Sequence, residues 1–257
     1  ATIRRQRQMC IRDSKDAISY IQKQVDEREN AKIKCAIIGR AGVGKSPLIN
    51  AIVGAYVAAV DEVECTKIIG EPVECNGVLF YDFPGWGTRK FPYETYIERF
   101  KIKTFDYVIL MTADRFYEDD LFLIDELATI KKPTFVVRSK VDYSIERALR
   151  RNVSAVETIS KIQKDLKENL QGYRTKGIYL ISSDFPEQHD LPKLINDIGD
   201  VFNGAKREIW IKVVNVVSDE ILTKKRKLAD KVVAQYAVLS AASACLLYTS
   251  PSPRDIG

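Results

Sequence analysis

Short apolar runs alternate with helical patterns through the middle of the chain. Five runs predict buried strands, at residues 34–38, 77–82, 107–112, 134–138 and 177–182. Between them, apolar residues recur every three or four positions, as in amphipathic helices. Strands that alternate with helices favour a mostly parallel, doubly wound sheet with helices on both faces. We therefore predict an α/β fold, with ligands bound at the carboxyl ends of the strands.

Helical patterns continue on both sides of this region. Residues 15–32 place Ile18, Ile21 and Val25 on one face, and residues 205–227 and 228–244 predict two further helices. We expect an N-terminal helix at 15–33, the α/β domain at 34–204 and the start of a helical domain, incomplete here, at 205–244.

The first predicted strand leads into a segment that fits G-x-x-x-x-G-K-[ST] at each defined position. Its glycines let backbone N–H groups close around phosphate oxygens without Cβ clashes. The lysine would reach the β- and γ-phosphates during catalysis, and the serine hydroxyl would bind Mg²⁺. The predicted phosphate-binding residues are Gly39, Arg40, Ala41, Gly42, Val43, Gly44, Lys45 and Ser46. This strand–loop–helix context predicts a P-loop NTPase, and with the motifs that follow it predicts a Ras-like G domain.

A second motif, Ser139-Lys140-Val141-Asp142, resembles the [N/T]-K-x-D element of GTPases. Asp142 would accept hydrogen bonds from the guanine N1–H and N2–H₂ groups. Adenine lacks this donor pair and would leave the carboxylate unpaired. The Lys140 stem would lie across the base, and Ser139, in place of the commoner Asn or Thr, is expected to tether the phosphate loop more weakly. Ser182 and Ser183 end the last predicted strand, where a guanine O6 contact is expected.

Residues of the D-x-x-G element and of switch I are expected around the γ-phosphate and Mg²⁺. Asp82 would hold the metal through a water, and the Gly85 N–H would sense the γ-phosphate. Thr66 lies where switch I belongs and is expected to supply a second hydroxyl ligand and to act in catalysis. The predicted metal ligands are therefore Ser46, Thr66 and Asp82, and the predicted cofactors are GTP or GDP and Mg²⁺.

The residue after Gly85 leaves two functions open. It is Trp86, whereas Ras-like enzymes have a glutamine that orients the attacking water. An indole cannot orient that water. The chain is either a GTPase with a low intrinsic rate that takes a group from elsewhere, or an assembly module that binds GTP without hydrolysing it.

The chain resembles the immunity-related GTPases, the interferon-inducible p47-type family. The resemblance extends over roughly residues 15–240, and the strings that carry it are Gly39–Ser46 with Asn50-Ala51, Asp82–Thr88, Val137–Asp142 and Leu180–Ser183 followed by His189-Asp190-Leu191-Pro192. The family implies a role in cell-autonomous immunity or in remodelling intracellular membranes. It also implies GTP-dependent homo- or hetero-dimers that pair through the G domains and thereby stimulate hydrolysis. A switch-I glutamate takes part in this pairing, and Glu64 has the expected spacing from Thr66; a solvated acidic loop is the alternative for Glu64.

We expect the two ends of the chain to differ in origin from the rest. Cys245–Ser250 can be encoded by DNA whose reverse complement encodes Met9–Asp13, as in a translated sequencing adaptor. We therefore expect residues 1–14 and 245–257 to be adaptor-derived and set them aside. Without their five arginines and two aspartates, the net charge falls from +5 to +2, so the arginines at positions 4–12 form no nucleic-acid-binding arm.

The remaining composition indicates the compartment. Three cysteines remain, Cys35, Cys65 and Cys75, and their spacing suits no metal. Free thiols are typical of a reducing compartment, so we expect a cytoplasmic protein. The basic cluster Lys224–Lys227 is most simply a solvated helix face; contact with an intracellular membrane surface is the alternative.

Pro47 departs from the residues usual after the Lys-Ser pair. In phosphate loops this position commonly donates its backbone N–H to the α-phosphate, and proline has none. We expect weakened but persistent nucleotide binding. Proline also suits the first turn of a helix, so harmless helix initiation is the alternative, and a sequencing error at one base is another.

Overall fold

One six-stranded sheet organises the part of the chain that the computed structural model describes, which is residues 2–58, 71–85, 91, 93–113 and 117–249. The strands are β1 Ile33–Gly39, β2 Val73–Cys75, β3 Val78–Phe83, β4 Tyr107–Thr112, β5 Thr134–Arg138 and β6 Gly177–Leu180. Their order is β2-β3-β1-β4-β5-β6, and only the β2–β3 pairing is antiparallel. The predicted α/β class with a mostly parallel, doubly wound sheet is confirmed.

Helices follow the strands in the alternation expected of this class. Those of the described residues are α1 Thr2–Asn30, α2 Lys45–Val53, α3 Tyr93–Arg99, α4 Glu118–Thr129, α5 Val141–Leu149, α6 Ala155–Asn169, α7 Leu191–Asp200, α8 Gly204–Val213 and α9 Asp219–Thr249, with a short 3₁₀ turn at Ile102–Thr104.

The central strands are buried on both faces because helices cover both sides of the sheet. Successive residues of a strand point to opposite faces. On one face, Leu110 and Val136 belong to a buried apolar cluster with Ile124 of α4 and Leu166 of α6. On the other face, the Tyr107 ring meets Trp210 of α8 edge-on at 5.9 Å. Burial from both sides explains why these strands are continuous apolar runs in the sequence.

Two parts of the fold differ from the sequence prediction. Strand β2 was not predicted, because three residues at a sheet edge carry little pattern. The predicted boundary between helices at residues 227 and 228 is wrong: the break lies between Val213 and Asp219, and α9 runs through that boundary. Two hydrogen bonds account for the position of the break. The Asn215 N–H donates to the Ile52 carbonyl at 2.7 Å. The Ser218 Oγ accepts from the Ile221 N–H and thereby forms the N-cap of α9.

The chain divides into two compact units, residues 1–31 with 223–257, and residues 32–222. Within the first, Arg28 donates to the Gln235 side chain at 2.7 Å and Gln235 donates to Gln24 at 2.8 Å. Helix α1 begins at Thr2 and therefore includes residues set aside as adaptor-derived. Within the second unit, Trp210 of α8 donates to the Ile195 carbonyl at 2.8 Å. The domain boundaries given above stay a prediction.

Among the described residues, none of the helices combines the length and the apolar character needed to cross a bilayer.

Candidate nucleotide-binding site

The predicted phosphate loop joins the carboxyl end of β1 to the first turn of α2. Gly42 and Gly44 have φ values of 75° and 91°, a left-handed conformation that favours glycine. A Cβ built on either residue would meet no atom within 4 Å, so open space lies beside the loop backbone. At Gly39, by contrast, a Cβ would lie 2.8 Å from Val43 Cγ2 and 2.9 Å from the Met111 carbonyl oxygen. The loop is packed at its base and open where a phosphate would be bound.

Lys45 is held at the centre of this loop. Its side chain is only 7% exposed, and Nζ lies 3.1 Å from the Gly39 carbonyl oxygen and 3.3 Å from that of Arg40. The Asp82 Oδ1 atom, at the end of β3, is 3.5 Å from the same amine. The structure thus brings together a cation and a carboxylate predicted from two separate motifs. Ser46 follows at the second position of α2 and is half-buried.

The D-x-x-G element lies directly against the phosphate loop. A Cβ built on Gly85 would be 3.4 Å from the Arg40 Cα and 3.8 Å from the Gly39 carbonyl oxygen. The preceding carbonyl, that of Pro84, accepts a hydrogen bond of 2.7 Å from the hydroxyl of Tyr96, a buried residue of α3. Sequence reasoning missed Tyr96, because no motif marks a tyrosine that contacts this peptide.

The Ser-Lys-x-Asp element is connected to the phosphate loop by its serine. Ser139 is 2% exposed, and its hydroxyl lies 2.6 Å from the Val43 carbonyl oxygen and 3.2 Å from that of Thr112. The expected tether is therefore present; its strength relative to an asparagine stays a prediction. Lys140 is exposed and left-handed, with a φ of 57°, and Asp142 follows in the first turn of α5.

The predicted guanine-binding residues come from two neighbouring strands. The Val141 N–H donates to the Ile181 carbonyl at 3.2 Å, which places the start of α5 beside the loop after β6. Ser182 is fully buried and its Oγ accepts from the Phe185 N–H at 3.2 Å, whereas Ser183 is half-buried. Asp142, in the first turn of α5, and Ser182 and Ser183, after β6, therefore belong to segments that meet at the carboxyl edge of the sheet.

Arg40 makes contacts that sequence reasoning did not identify. Its guanidinium carbon lies 3.8 Å from the centroid of the Tyr117 ring, and Nη2 lies 3.3 Å from Asp119 Oδ2 in α4. The side chain is 45% exposed, so this ion pair contributes little to stability. Its clearer effect is geometric, because it holds the phosphate loop against the start of α4. No sequence signal connects residues this far apart.

Pro47 is the third residue of α2, after Gly44 as the N-cap. Donors in the first turn have no partner within their own helix, so the proline removes no helical hydrogen bond. Proline at this position is therefore compatible with the helix. Glu64 and Thr66, the other residues predicted for catalysis, metal binding or pairing, lie outside the described residues, as does Trp86.

Two of the three cysteines expected to be free are described, and both are free thiols. Cys35 is completely buried in β1, and burial raises the pKa of its thiol far above the usual value. It therefore stays protonated and packs as a small apolar residue. The prediction of free thiols is confirmed for Cys35 and Cys75.

Comparison with known proteins places this site in a family. A sequence model described as Interferon-inducible GTPase (IIGP) matches residues 4–250. Mouse Interferon-gamma-inducible GTPase 10 is 26% identical over an alignment of 254 positions that covers 93% of this chain and 61% of that protein. Mouse Interferon-inducible GTPase 1 is 27% identical over an alignment of 236 positions that covers 87% of this chain and 56% of the relative. The chain thus spans about three fifths of the length of these curated relatives.

Among solved structures, Toc33 from Arabidopsis thaliana in complex with GDP and Mg²⁺ matches with a TM-score of 0.48 and 16% identity, over 74% of this chain and 91% of that one. A probable GTP-binding protein engB matches with a TM-score of 0.41 and 21% identity, over 65% of this chain and 97% of that one. The family match covers nearly the whole chain, including every motif of the candidate site. The chain belongs to the interferon-inducible GTPase family.

Proposed function

We propose that this chain binds GTP with Mg²⁺ and hydrolyses it to GDP and phosphate. The observation that carries the proposal is the 3.5 Å approach of the Lys45 amine to the Asp82 carboxylate, at the base of an open glycine loop. A nucleoside triphosphate requires a cationic group such as the Lys45 amine beside its phosphates, and a divalent cation requires a carboxylate such as that of Asp82. The tether from Ser139 to the Val43 carbonyl adds support, because it connects the base-recognition motif to the same loop.

The reaction needs charge stabilisation more than covalent chemistry. A water oxygen bonds to the γ-phosphorus, the bond from that phosphorus to the β–γ bridging oxygen breaks, and the electron pair stays on GDP. The water proton ends on phosphate or in solvent. Lys45 and the N–H groups of the loop would stabilise the charge on the transferring phosphoryl group. Ser46, Thr66 and Asp82 would hold Mg²⁺, which supplies further positive charge when bound.

Base recognition is assigned to the two loops that meet after β5 and β6. Asp142 would accept from the guanine edge, the Lys140 stem would cover the ring, and Ser182 and Ser183 would lie near O6. The half-burial of Asp142 supports this assignment, because a carboxylate partly removed from water loses more when its partner is absent.

Activation is assigned to pairing of two G domains, as homo- or hetero-dimers. Trp86 stands where a water-orienting glutamine would be, so the isolated chain should hydrolyse GTP slowly. Glu64 is the candidate for the pairing contact. Trp86 is equally compatible with a second function, in which the chain binds GTP and assembles without hydrolysing it.

The proposed role is in cell-autonomous immunity, and the names of the relatives, which describe interferon-inducible GTPases, support the interferon-induced part of it. We place the protein in the cytoplasm, and peripheral contact with an intracellular membrane surface through the basic cluster is the alternative to a solvated helix face. In the basic cluster, Lys224 and Lys225 are half-buried, and burial lowers the pKa of Lys225. Arg226 and Lys227 are exposed, so these two residues of the cluster are open to an anionic surface.

Single-turnover hydrolysis of GTP over a protein dilution series tests the proposal, with Lys45→Ala as the inactive reference. We expect phosphate release by the unmodified chain at a rate that rises with protein concentration. Binding of GTP without phosphate release at any concentration would favour the non-hydrolysing module. Hydrolysis by Lys45→Ala at the original rate would refute the assignment of the site.

A further inference from the structure

We propose that Tyr96 is a positioning residue for the γ-phosphate, because its hydroxyl fixes the peptide group between Pro84 and Gly85. This inference rests on the proposed function, in which the Gly85 N–H senses the γ-phosphate. Tyr96 itself would touch neither nucleotide nor metal. Its effect would be to choose the direction in which the Gly85 donor points.

The contact is short and buried. Tyr96 Oη donates to the Pro84 carbonyl oxygen at 2.7 Å, and the side chain is 1% exposed. The peptide bond between Pro84 and Gly85 is trans, so its C=O and N–H groups lie in one plane and point in opposite directions. Holding the carbonyl toward Tyr96 therefore holds the N–H away from it.

Gly85 lies where that direction matters. Its Cα faces the phosphate loop, since an added Cβ would be 3.4 Å from the Arg40 Cα. Without a side chain, this peptide could rotate more freely than others, and an external restraint would have a correspondingly large effect. The restraint comes from Tyr96 on α3, a helix that belongs neither to the phosphate loop nor to the D-x-x-G element.

The hydroxyl and the ring of Tyr96 have separable roles. The ring packs edge-on against Phe100 with centroids 4.6 Å apart, and Phe100 in turn packs against Phe83 at 5.4 Å. This packing holds the ring in place without help from the hydroxyl. Burial, with the Asp82 carboxylate nearby, raises the pKa of Tyr96 well above its usual value, so the hydroxyl stays a donor at neutral pH.

Rotation of the peptide would leave a buried hydroxyl and a buried carbonyl without each other, which is unfavourable. The restraint therefore preorganises one donor for the γ-phosphate. GDP has no γ-phosphate, so its affinity should not depend on that donor. The affinity for a GTP analogue should therefore depend on which orientation the peptide adopts, whereas the affinity for GDP should not. GDP is thus the internal reference.

The test is Tyr96→Phe, which removes only the hydroxyl. Affinities for GDP and for a non-hydrolysable GTP analogue are measured by titration, with Mg²⁺ present. We expect the analogue to bind about five- to tenfold more weakly, the effect of one lost hydrogen bond, with GDP affinity unchanged. Tyr107→Phe is the matched control. Tyr107 is also fully buried, but it is the first residue of β4 and lies at the amino end of that strand, whereas the candidate site lies at the carboxyl ends. The control should change neither affinity.

The outcomes separate this inference from the proposed function. If the unmodified chain binds neither nucleotide, the proposed function fails and the inference falls with it. If it binds both and Tyr96→Phe keeps the same ratio of affinities, only the inference is overturned. Equal weakening of both nucleotides would assign Tyr96 a purely structural role and would also overturn it. If Tyr96→Phe does not fold, 3-fluorotyrosine is placed at position 96, because its hydroxyl is a stronger hydrogen-bond donor. The ratio of affinities should then shift toward the GTP analogue. An unchanged ratio would refute the proposal.

Discussion

At the scale of single residues, the proposed base specificity rests on Asp142. Replacing it with asparagine exchanges one acceptor of the carboxylate for an amide donor, which suits the extra carbonyl of xanthine. We expect Asp142→Asn to lower GTP affinity and raise affinity for xanthosine triphosphate, by about tenfold or more each, as for a lost charge-assisted hydrogen bond. Competition titrations with both nucleotides measure this.

Glu146→Gln is a suitable control for Asp142→Asn. It makes the same acid-to-amide change one turn later on α5, where the exposed Glu146 pairs with Arg150 at 2.6 Å. It should leave both affinities unchanged. Equal binding of ATP and GTP by the unmodified chain would contradict the role of Asp142.

Pro47 is a second residue-scale case, because the structure places it where the helix does not need its missing N–H. If that N–H serves the α-phosphate in other loops, Pro47→Ser should restore it. We expect GDP and GTP affinities to rise together, by about tenfold to a hundredfold, the equivalent of ~1.5–3 kcal/mol for one charge-assisted hydrogen bond. Titration of both proteins decides this; equal affinities would leave Pro47 as a helix initiator only.

At the scale of elements, the Ser139 hydroxyl joins the end of β5 to the phosphate loop. Ser139→Ala would leave the Val43 carbonyl short of a buried donor, so we expect a loss of about 1–3 kcal/mol in stability and weaker binding of GDP and GTP. Ser154→Ala makes the same chemical change at the N-cap of α6, where the hydroxyl accepts from the Glu157 N–H of its own helix.

The Ser154 control separates stability from binding. Losing that cap should cost about 1 kcal/mol without any change in nucleotide affinity. Thermal unfolding and nucleotide titration of both variants are compared. If Ser139→Ala lowers stability and leaves affinity intact, the tether is structural and does not arrange the nucleotide site.

The elements also show what could be predicted from sequence and why. Strands buried on both faces appear as continuous apolar runs, and motifs whose residues are contiguous can be recognised directly. The break at residues 214–218 was missed because Val214, Val216 and Val217 continue the apolar pattern, although Ser218 is a helix-start signal. Tyr96 and the Arg40–Tyr117 contact were missed because they depend on where whole helices pack, which local pattern does not encode.

At the scale of the whole molecule, the recognised sequence motifs contain no glutamine that could orient the attacking water. Trp86 replaces the expected glutamine, and the chain spans only about three fifths of the length of its curated relatives. A single G domain built this way should be a slow enzyme. In the proposed pairing, a second molecule would raise this rate, so the rate should depend on protein concentration.

The acidic segment of residues 61–64 allows this dependence to be tested by paired substitutions. If Glu64 makes the pairing contact, Glu64→Ala should flatten the rise of specific activity with concentration. Glu62→Ala removes the same charge two residues away and should leave the rise intact. If both are solvated loop residues, the two variants will behave alike. Specific rates of GTP hydrolysis over a hundredfold dilution range, with GDP affinity measured in parallel, distinguish these outcomes. If the specific rate of the unmodified chain does not depend on protein concentration, pairing has no part in the mechanism.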